Sequence, residues 1–406
     1  MKTRTHKIYG ILLLLIILTV SLSFVSPAPS EAIHTSGIKF KSVKDGIEYA
    51  EAIRIIDKQP VKMNLLRLDL SKVRLDVVHA KDKAIGTETV SEMAKNHKAF
   101  AAINAGFFRL DGSVFAGDSA GILQIDGKLL SESYKNRIAL GIINGKKKTE
   151  VEIGHLQSTS TVQFGIDSKF TFSGINRERK GDEVIVFNPN FNKTTLTDSS
   201  GTEIILSKCS IRCNKVEIFE NKGNSIIPSD GFVISIGKNA TDKANTIRQI
   251  ASVQKNSKKS SLGITRLLSN LKTTSSTSQS LFESAEDITN GVPQLIKNGK
   301  IEITWEQEKT SKSFVETKHP RTAVAKLKDG KFLMITVDGR SEESGGIGLE
   351  DLAKILLELG ATDAMNLDGG GSTTMFLDGK VVNKPSDKEG ERKVSDAILV
   401  SLRKKN

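Results

Sequence analysis

Residues 331–375 read KFLMITVDGRSEESGGIGLEDLAKILLELGATDAMNLDGGGSTTM, and the reading of this stretch decides the fold. An apolar run from Phe332 to Val337 stops at Asp338-Gly339-Arg340, which suits a buried strand bounded by a turn. Leu349, Leu352, Ala353, Leu356 and Leu359 then recur at helical spacing, with Gly360 where a left-handed helix stop is expected. A second apolar run, Ala364 to Leu367, ends at Asp368 and Gly369-Gly370-Gly371-Ser372. Strand, helix and strand in this length predict a βαβ unit with parallel strands. Both strands would then end in an aspartate on one edge of the sheet, where open α/β sheets bind ligands. Asp-Gly alone favours a turn. Three consecutive glycines carry a backbone-entropy cost that a simple turn does not require, and this favours a functional loop after Asp368.

Elsewhere the chain reads as strands and hairpins. Asp111-Gly112, Asp126-Gly127, Asn144-Gly145, Asn298-Gly299, Asp329-Gly330 and Asp378-Gly379 are each flanked by strand-like runs and predict hairpins. MNLLRLDLSKVRLDVVHA, residues 63–80, alternates around Asp69-Leu70-Ser71-Lys72 and predicts two half-buried strands or a hairpin. Thr89 to Asn96 reads as a short amphipathic helix, and Phe100 to Ile103 as a buried strand ending at Asn104-Ala105-Gly106-Phe107-Phe108. The expected class is α+β or mixed α/β: a mixed β-sheet core with a C-terminal βαβ unit and a strand-rich inserted segment. That segment spans residues 155–240, and a helical, then polar connector spans 241–285. Within the connector, the Ser/Thr cluster from Thr273 to Ser280 predicts an exposed loop.

Lys2, Arg4 and Lys7 precede an apolar run from Ile8 to Val25 and a small-residue exit ending Ser30-Glu31-Ala32. This order predicts a secretory signal over residues 1–32, with an uncleaved anchor as the alternative. Residues 33–406 would then form a secreted or cell-surface domain, touching a membrane only through the N-terminal segment. The net charge of +12 attracts anionic partners, an anionic wall polymer before nucleic acid, for which there is no motif. Cys209 and Cys213 are either structural thiols or a local disulfide, and bonding them needs a turn or helix between them. Zinc would want a matching second pair or nearby histidines.

Four segments in order, HPRTAVA (319–325), VDGR (337–340), LDGGGSTTM (367–375) and VVNKPSD followed by ER (381–392), resemble the phosphodiester glycosidase domain family. With NAGFF (104–108), the resemblance extends over most of the chain after the leader. It implies an exported hydrolase that cleaves the glycosidic bond of a sugar-1-phosphodiester. It also implies that Asn104 and the Gly291-Val292-Pro293 segment lie at the substrate pocket, although Asn290 stands where the family commonly has another glycine. Such chemistry needs charge neutralisation at the phosphate and a carboxylate at the anomeric carbon. Arg321, Arg340 and Arg392 are the phosphate candidates, Arg321 foremost because a guanidinium holds two oxygens at once. N–H groups of Gly369, Gly370, Gly371 and Ser372 would add uncharged donors. Asp338 and Asp368 form the candidate acid/base pair. His319 is a further acid or a strand-edge histidine without a catalytic part. Asn383 would bond sugar hydroxyls or order the turn before Pro385. The reaction needs no cofactor in this version. In the alternative, Asp338 and Asp368 ligate Ca²⁺ or Mg²⁺ in a phosphodiesterase that cleaves at phosphorus. A catalytically silent glycan-binding module is the remaining reading.

Overall fold

The computed structural model describes residues 37–164, 168–210, 213–256, 264–273 and 276–404. The expected leader, residues 1–32, lies outside the described residues. Among those described, no helix is long and apolar enough to cross a membrane.

The architecture is mostly β and antiparallel, which corrects the expected α+β or mixed α/β class. An eight-stranded sheet runs in the order 41–44, 47–56, 59–68, 332–337, 321–327, 361–366, 294–297 and 300–301, every neighbouring pair antiparallel. Phe332–Val337 and Ala361–Asn366 therefore do not pair as a βαβ unit; Arg321–Leu327 lies between them, antiparallel to both. A strand has two edges, and both edges of Phe332–Val337 are taken. The Asp329-Gly330 hairpin supplies one neighbour and Gln59–Leu68 the other. Because both flanking strands oppose Arg321–Leu327, they still run in the same direction, and their carboxyl ends still emerge at one edge. The helix Leu349–Glu358 bridges them and buries Leu349, Leu352, Ala353, Ile355 and Leu356; Gly360 stops it at φ +89°.

A five-stranded antiparallel sheet, ordered 380–381, 375–377, 101–104, 396–402 and 73–79, packs against the first. Leu66, Leu68, Val324, Met334 and Met365 meet Leu75, Ile103, Ile398 and Val400 in one apolar cluster between them. Burial of this kind stabilises by roughly 25 cal/mol per Å² of apolar surface. Gln59–Leu68 and Val73–His79 are two strands, as the first alternative had it, but they belong to different sheets and do not form a hairpin. The helix Val90–Asn96 covers the small sheet, and the Thr89 and Glu92 side chains reciprocally cap its start.

The strand-rich segment belongs to a third, larger sheet. Ile138–Asn144 pairs on one side with Thr149–Phe164 and on the other with Asp287–Asn290. The excursion through residues 149–285 thus leaves and returns beside the same strand. The sheet holds the one parallel pairing seen among the described strands, Gly174–Ile175 with Val184–Phe187. In the connector, Thr241–Asn256 is a helix, Ile264–Thr273 is a strand along the 156–164 segment, and Ser276–Ser284 is a helix where a loop was expected. The fully buried Phe282 anchors that helix, and Gly141 leaves room for its ring. This burial outweighs the weak helix preference of Ser and Thr. Residues 274–275 of the expected loop lie outside the described residues.

Five of the six Asx-Gly pairs join adjacent antiparallel strands; Asp111-Gly112 sits instead in a longer loop closed by the Phe108–Ser119 bridge. Cys209 and Cys213 are disulfide-bonded and face each other across the hairpin of Thr202–Cys209 and Cys213–Glu220.

Candidate active site

Three strand ends converge at one edge of the eight-stranded sheet. Arg321 opens the central strand opposite Val337, while Ala323 lies opposite Asn366. His319-Pro320-Arg321 therefore enters between the exits at Asp338 and Asp368. The glycine loop then crosses to Met375–Leu377 of the small sheet, which pairs with Ala101–Asn104.

Asp338 is 2% exposed. Its Oδ1 accepts from Asn383 Nδ2 at 3.2 Å and from the Lys384 N–H at 3.1 Å, while buried Oδ2 has no partner. Burial pushes this carboxyl above its ordinary pKa, against the pull of those two donors. Asn383, expected to bond sugar hydroxyls, has its amide engaged within the protein. Besides Asp338, Nδ2 donates to Thr373 O at 3.0 Å, and Oδ1 accepts from the Met375 N–H at 2.7 Å. Its role is to orient Asp338.

Asp368 is half-buried, and Oδ1 accepts from the Gly369 N–H at 2.9 Å. Burial pushes its pKa up to about 6; the Ser372 side chain, the Gly369 N–H and Arg392 oppose this, and Asp396 adds to it. Asn104 fixes this residue from behind rather than facing a ligand. It is fully buried; Nδ2 donates to Asp368 O at 2.7 Å, and Oδ1 accepts from Thr322 Oγ1 at 2.7 Å and the Thr374 N–H at 3.1 Å. One amide thus ties together the NAGFF, HPRT and LDGGGSTT segments.

Arg321 is 1% exposed, and burial lowers its pKa to about 10. Nε donates to Ile347 O at 3.2 Å, and Nη2 to Phe314 O and Thr317 O at 2.6 and 2.8 Å. The guanidinium lies 4.9 Å over the Phe314 ring. Among the described residues no carboxylate pairs with it and Nη1 has no hydrogen-bond partner, so that nitrogen and a full charge remain for an anion. Arg340 is exposed at φ +62°, with a long contact from Nη1 to Ser386 Oγ at 3.4 Å. Arg392 makes a two-pronged ion pair with Asp387, at 2.7 and 3.0 Å, which offsets its charge. His319 is half-buried, and burial together with Arg321 and Arg340 lowers its pKa, making it a neutral imidazole at pH 7 and a poor proton donor.

Three of the four expected N–H donors of the glycine loop, those of Gly369, Gly370 and Ser372, are engaged within the protein. The Gly369 N–H bonds the Asp368 carboxylate, the Gly370 N–H bonds Pro320 O at 2.9 Å, and the Ser372 N–H bonds Gly369 O at 3.1 Å. The glycines serve close approach instead. A Cβ on Gly369 would stand 2.8 Å from Pro320 O, one on Gly370 would meet Arg340 Nη2 at 3.0 Å, and one on Gly371 would collide with Arg392 and Asp387. Gly371→Ala is therefore expected to displace that ion pair and lower stability by about 1–3 kcal/mol, the usual cost of overpacking. Thermal denaturation checks this; an unchanged melting temperature would show that the loop gives way.

Among the described residues, no three His, Cys, Asp or Glu side chains converge as a ligand set. Sequence reasoning missed two participants. Asp396 is buried, accepts from the Gly106 N–H at 3.1 Å and from Thr289 Oγ1 at 2.8 Å, and raises the pKa of Asp368. Phe314 supports Arg321 and meets Phe107 edge-on at 6.0 Å. Asp396 ends the KVSD run with no local signal beyond a polar residue before an apolar strand.

Residues 207–401 match the family described as phosphodiester glycosidase. The matched range is narrower than the resemblance over most of the chain, and Asn104 lies outside it although it braces Asp368. The chain is 39% identical over 107 residues to the N-acetylglucosamine-1-phosphodiester alpha-N-acetylglucosaminidase of Bos taurus, 24% of this chain and 20% of that relative. It is 42% identical over 87 residues to the SPbeta prophage-derived protein YomE of Bacillus subtilis, 21% of this chain and 13% of the relative. The chain thus spans about a fifth or less of these relatives' own length. A crystal structure of a hypothetical protein from Synechocystis shares the fold, with a TM-score of 0.69 and 21% identity over 90% of this chain and 64% of that one.

Proposed function

We propose that this protein is an exported phosphodiester glycosidase, a hydrolase that cleaves the bond between the anomeric carbon and the phosphate oxygen of a sugar-1-phosphodiester, in surface glycans or wall polymers. The observation that carries the reading is the pairing of a carboxyl that titrates near pH 6, Asp368, with the unneutralised Arg321 and the exposed Arg340 at one strand edge. The bovine relative's name states the same bond type, with N-acetylglucosamine as the sugar.

In this reading the phosphate lies against Arg321 Nη1 and Arg340, and the sugar is presented to Asp368. Water oxygen attaches to the anomeric carbon, Asp368 takes up the water proton, and the C–O electron pair departs with the phosphate. The departing group is a phosphate monoester, stable as an anion, so guanidinium charge does most of what a proton donor does for a poorer leaving group. That accounts for a site in which His319 stays neutral. Asp338, deeper and short of one partner at Oδ2, holds a proton or receives a sugar hydroxyl.

Incubating the secreted protein with a panel of sugar-1-phosphodiesters in ¹⁸O-water tests this. Label in the sugar is the expected result; label in the phosphate would establish cleavage at phosphorus and end the glycosidase reading. Because Asp368 works ionised, kcat/KM should rise with pH and level off above about 6. A rate that falls through pH 6 would make Asp368 the acid instead.

A further inference from the structure

A cavity of about 370 Å³ opens between the 109–121 loop, the end of strand Lys128–Ser131 and the 177–183 loop of the strand-rich sheet. We propose that it is a second carbohydrate subsite, which takes a neutral sugar unit of the glycan whose phosphodiester the Asp368 site cleaves. This rests on the glycosidase reading of that site.

The lining carries four carboxylates, Asp118, Glu132, Glu178 and Glu183. Three are occupied. Arg177 Nε bonds Glu132 at 2.7 Å, its two terminal nitrogens bond Glu183 at 2.8 and 2.9 Å, and Arg109 bonds Glu178 at 2.6 Å. Among the described residues the Asp118 carboxyl has no ion-pair or hydrogen-bond partner, although it lies half-buried among these groups. The cavity's two arginines are thus already neutralised, and the three ionised carboxylates Glu132, Glu178 and Glu183 balance Arg109, Arg177 and Lys180 of the lining, which disfavours an anion such as phosphate. Burial, followed by the charge of Glu132, raises the Asp118 pKa to about 8, so at neutral pH its carboxyl is both donor and acceptor. Such a group suits a hydroxyl or an acetamido group better than a cation. Fixed Arg–carboxylate pairs present donors and acceptors at set angles around it, Tyr134, 44% exposed, adds an aromatic edge, and the volume is that of a small-molecule site.

The cavity is wired to the glycosidase site. Ser119, beside Asp118 in its wall, accepts from Asn290 Nδ2 at 3.0 Å. Asn290 Oδ1 accepts the Phe107 N–H at 3.2 Å, and Phe107 packs on Phe314, which supports Arg321. One continuous substrate passing both places would be a glycan chain rather than a single sugar.

The test is calorimetric titration of the full-length protein carrying Asp368→Asn with neutral trisaccharides (triacetylchitotriose, maltotriose and mannotriose), using inorganic phosphate as the anion control. At least one trisaccharide should bind, and Asp118→Ala should weaken it tenfold or more, while Asp118→Asn, which keeps a donor and an acceptor, restores most of the affinity. Tyr134→Ala gives an independent variant at an exposed position and should weaken the same sugar. No binding by any trisaccharide, or binding that none of the three changes alters, would overturn the subsite. Because the background protein is catalytically disabled, a failure of the glycosidase reading shows in the ¹⁸O experiment and not here.

Discussion

Asp368→Asn is expected to lower turnover by about a hundredfold to ten-thousandfold, the usual contribution of a positioned acid or base. The substitution keeps the shape of the side chain and its acceptor for the Gly369 N–H, but removes the charge and the exchangeable proton. Stability should not fall. The folded protein holds the Asp368 proton more tightly than the unfolded chain, because burial raises its pKa from 3.8 to about 6. Between those values the folded state binds more protons, so its stability declines as pH rises through the window and the loss is complete above about pH 6. A neutral amide is free of that loss, so the variant should melt at the same temperature or higher at pH 7. Early melting with full activity per folded molecule would reduce Asp368 to a turn residue.

Asn104→Ala should be costly in both respects. It leaves the buried Thr374 N–H and Thr322 hydroxyl without their acceptor and the Asp368 carbonyl without its donor. Each stranded buried group costs about 1–3 kcal/mol, so a loss of roughly 2–5 kcal/mol is expected in urea denaturation. The folded fraction should also turn over more slowly, since the backbone of Asp368 is no longer pinned. A stability change within about 0.5 kcal/mol, the range of ordinary surface substitutions, would show that water or a neighbour replaces the amide.

The local signals were legible in the chain. Gly360 stops its helix, Asp329-Gly330 turns its hairpin, and Asp338 and Asp368 leave parallel-running strands at one edge. Strand neighbours were not legible, because the pairing of Gln59–Leu68 with Phe332–Val337 joins segments far apart in sequence and turned an expected parallel unit into an antiparallel sheet. Periodicity reports which face of a strand is apolar, not which strand lies beside it. The polar residues divide the same way. Asn104 and Asn383 stood out as special, yet whether an amide faces a ligand or braces a neighbour depends on what is folded around it. The glycine loop likewise declared close approach, but not whether backbone or guanidinium would approach.

The return of the chain at Asp287 beside the strand it left at Asn144 has a consequence for how this protein can change. The ends of the excursion are held together by Ile138–Asn144 whatever lies between them, so lengthening or shortening it alters mainly the entropy of closing a loop. That entropy grows only logarithmically, by about 0.6 kcal/mol per doubling of length. The sheet edge bearing Asp338, Arg321 and Asp368 is assembled by other strands, so the excursion can gain, lose or reshape hairpins while these three residues keep their places. New recognition surfaces can thus be added to the molecule at little thermodynamic expense to that edge.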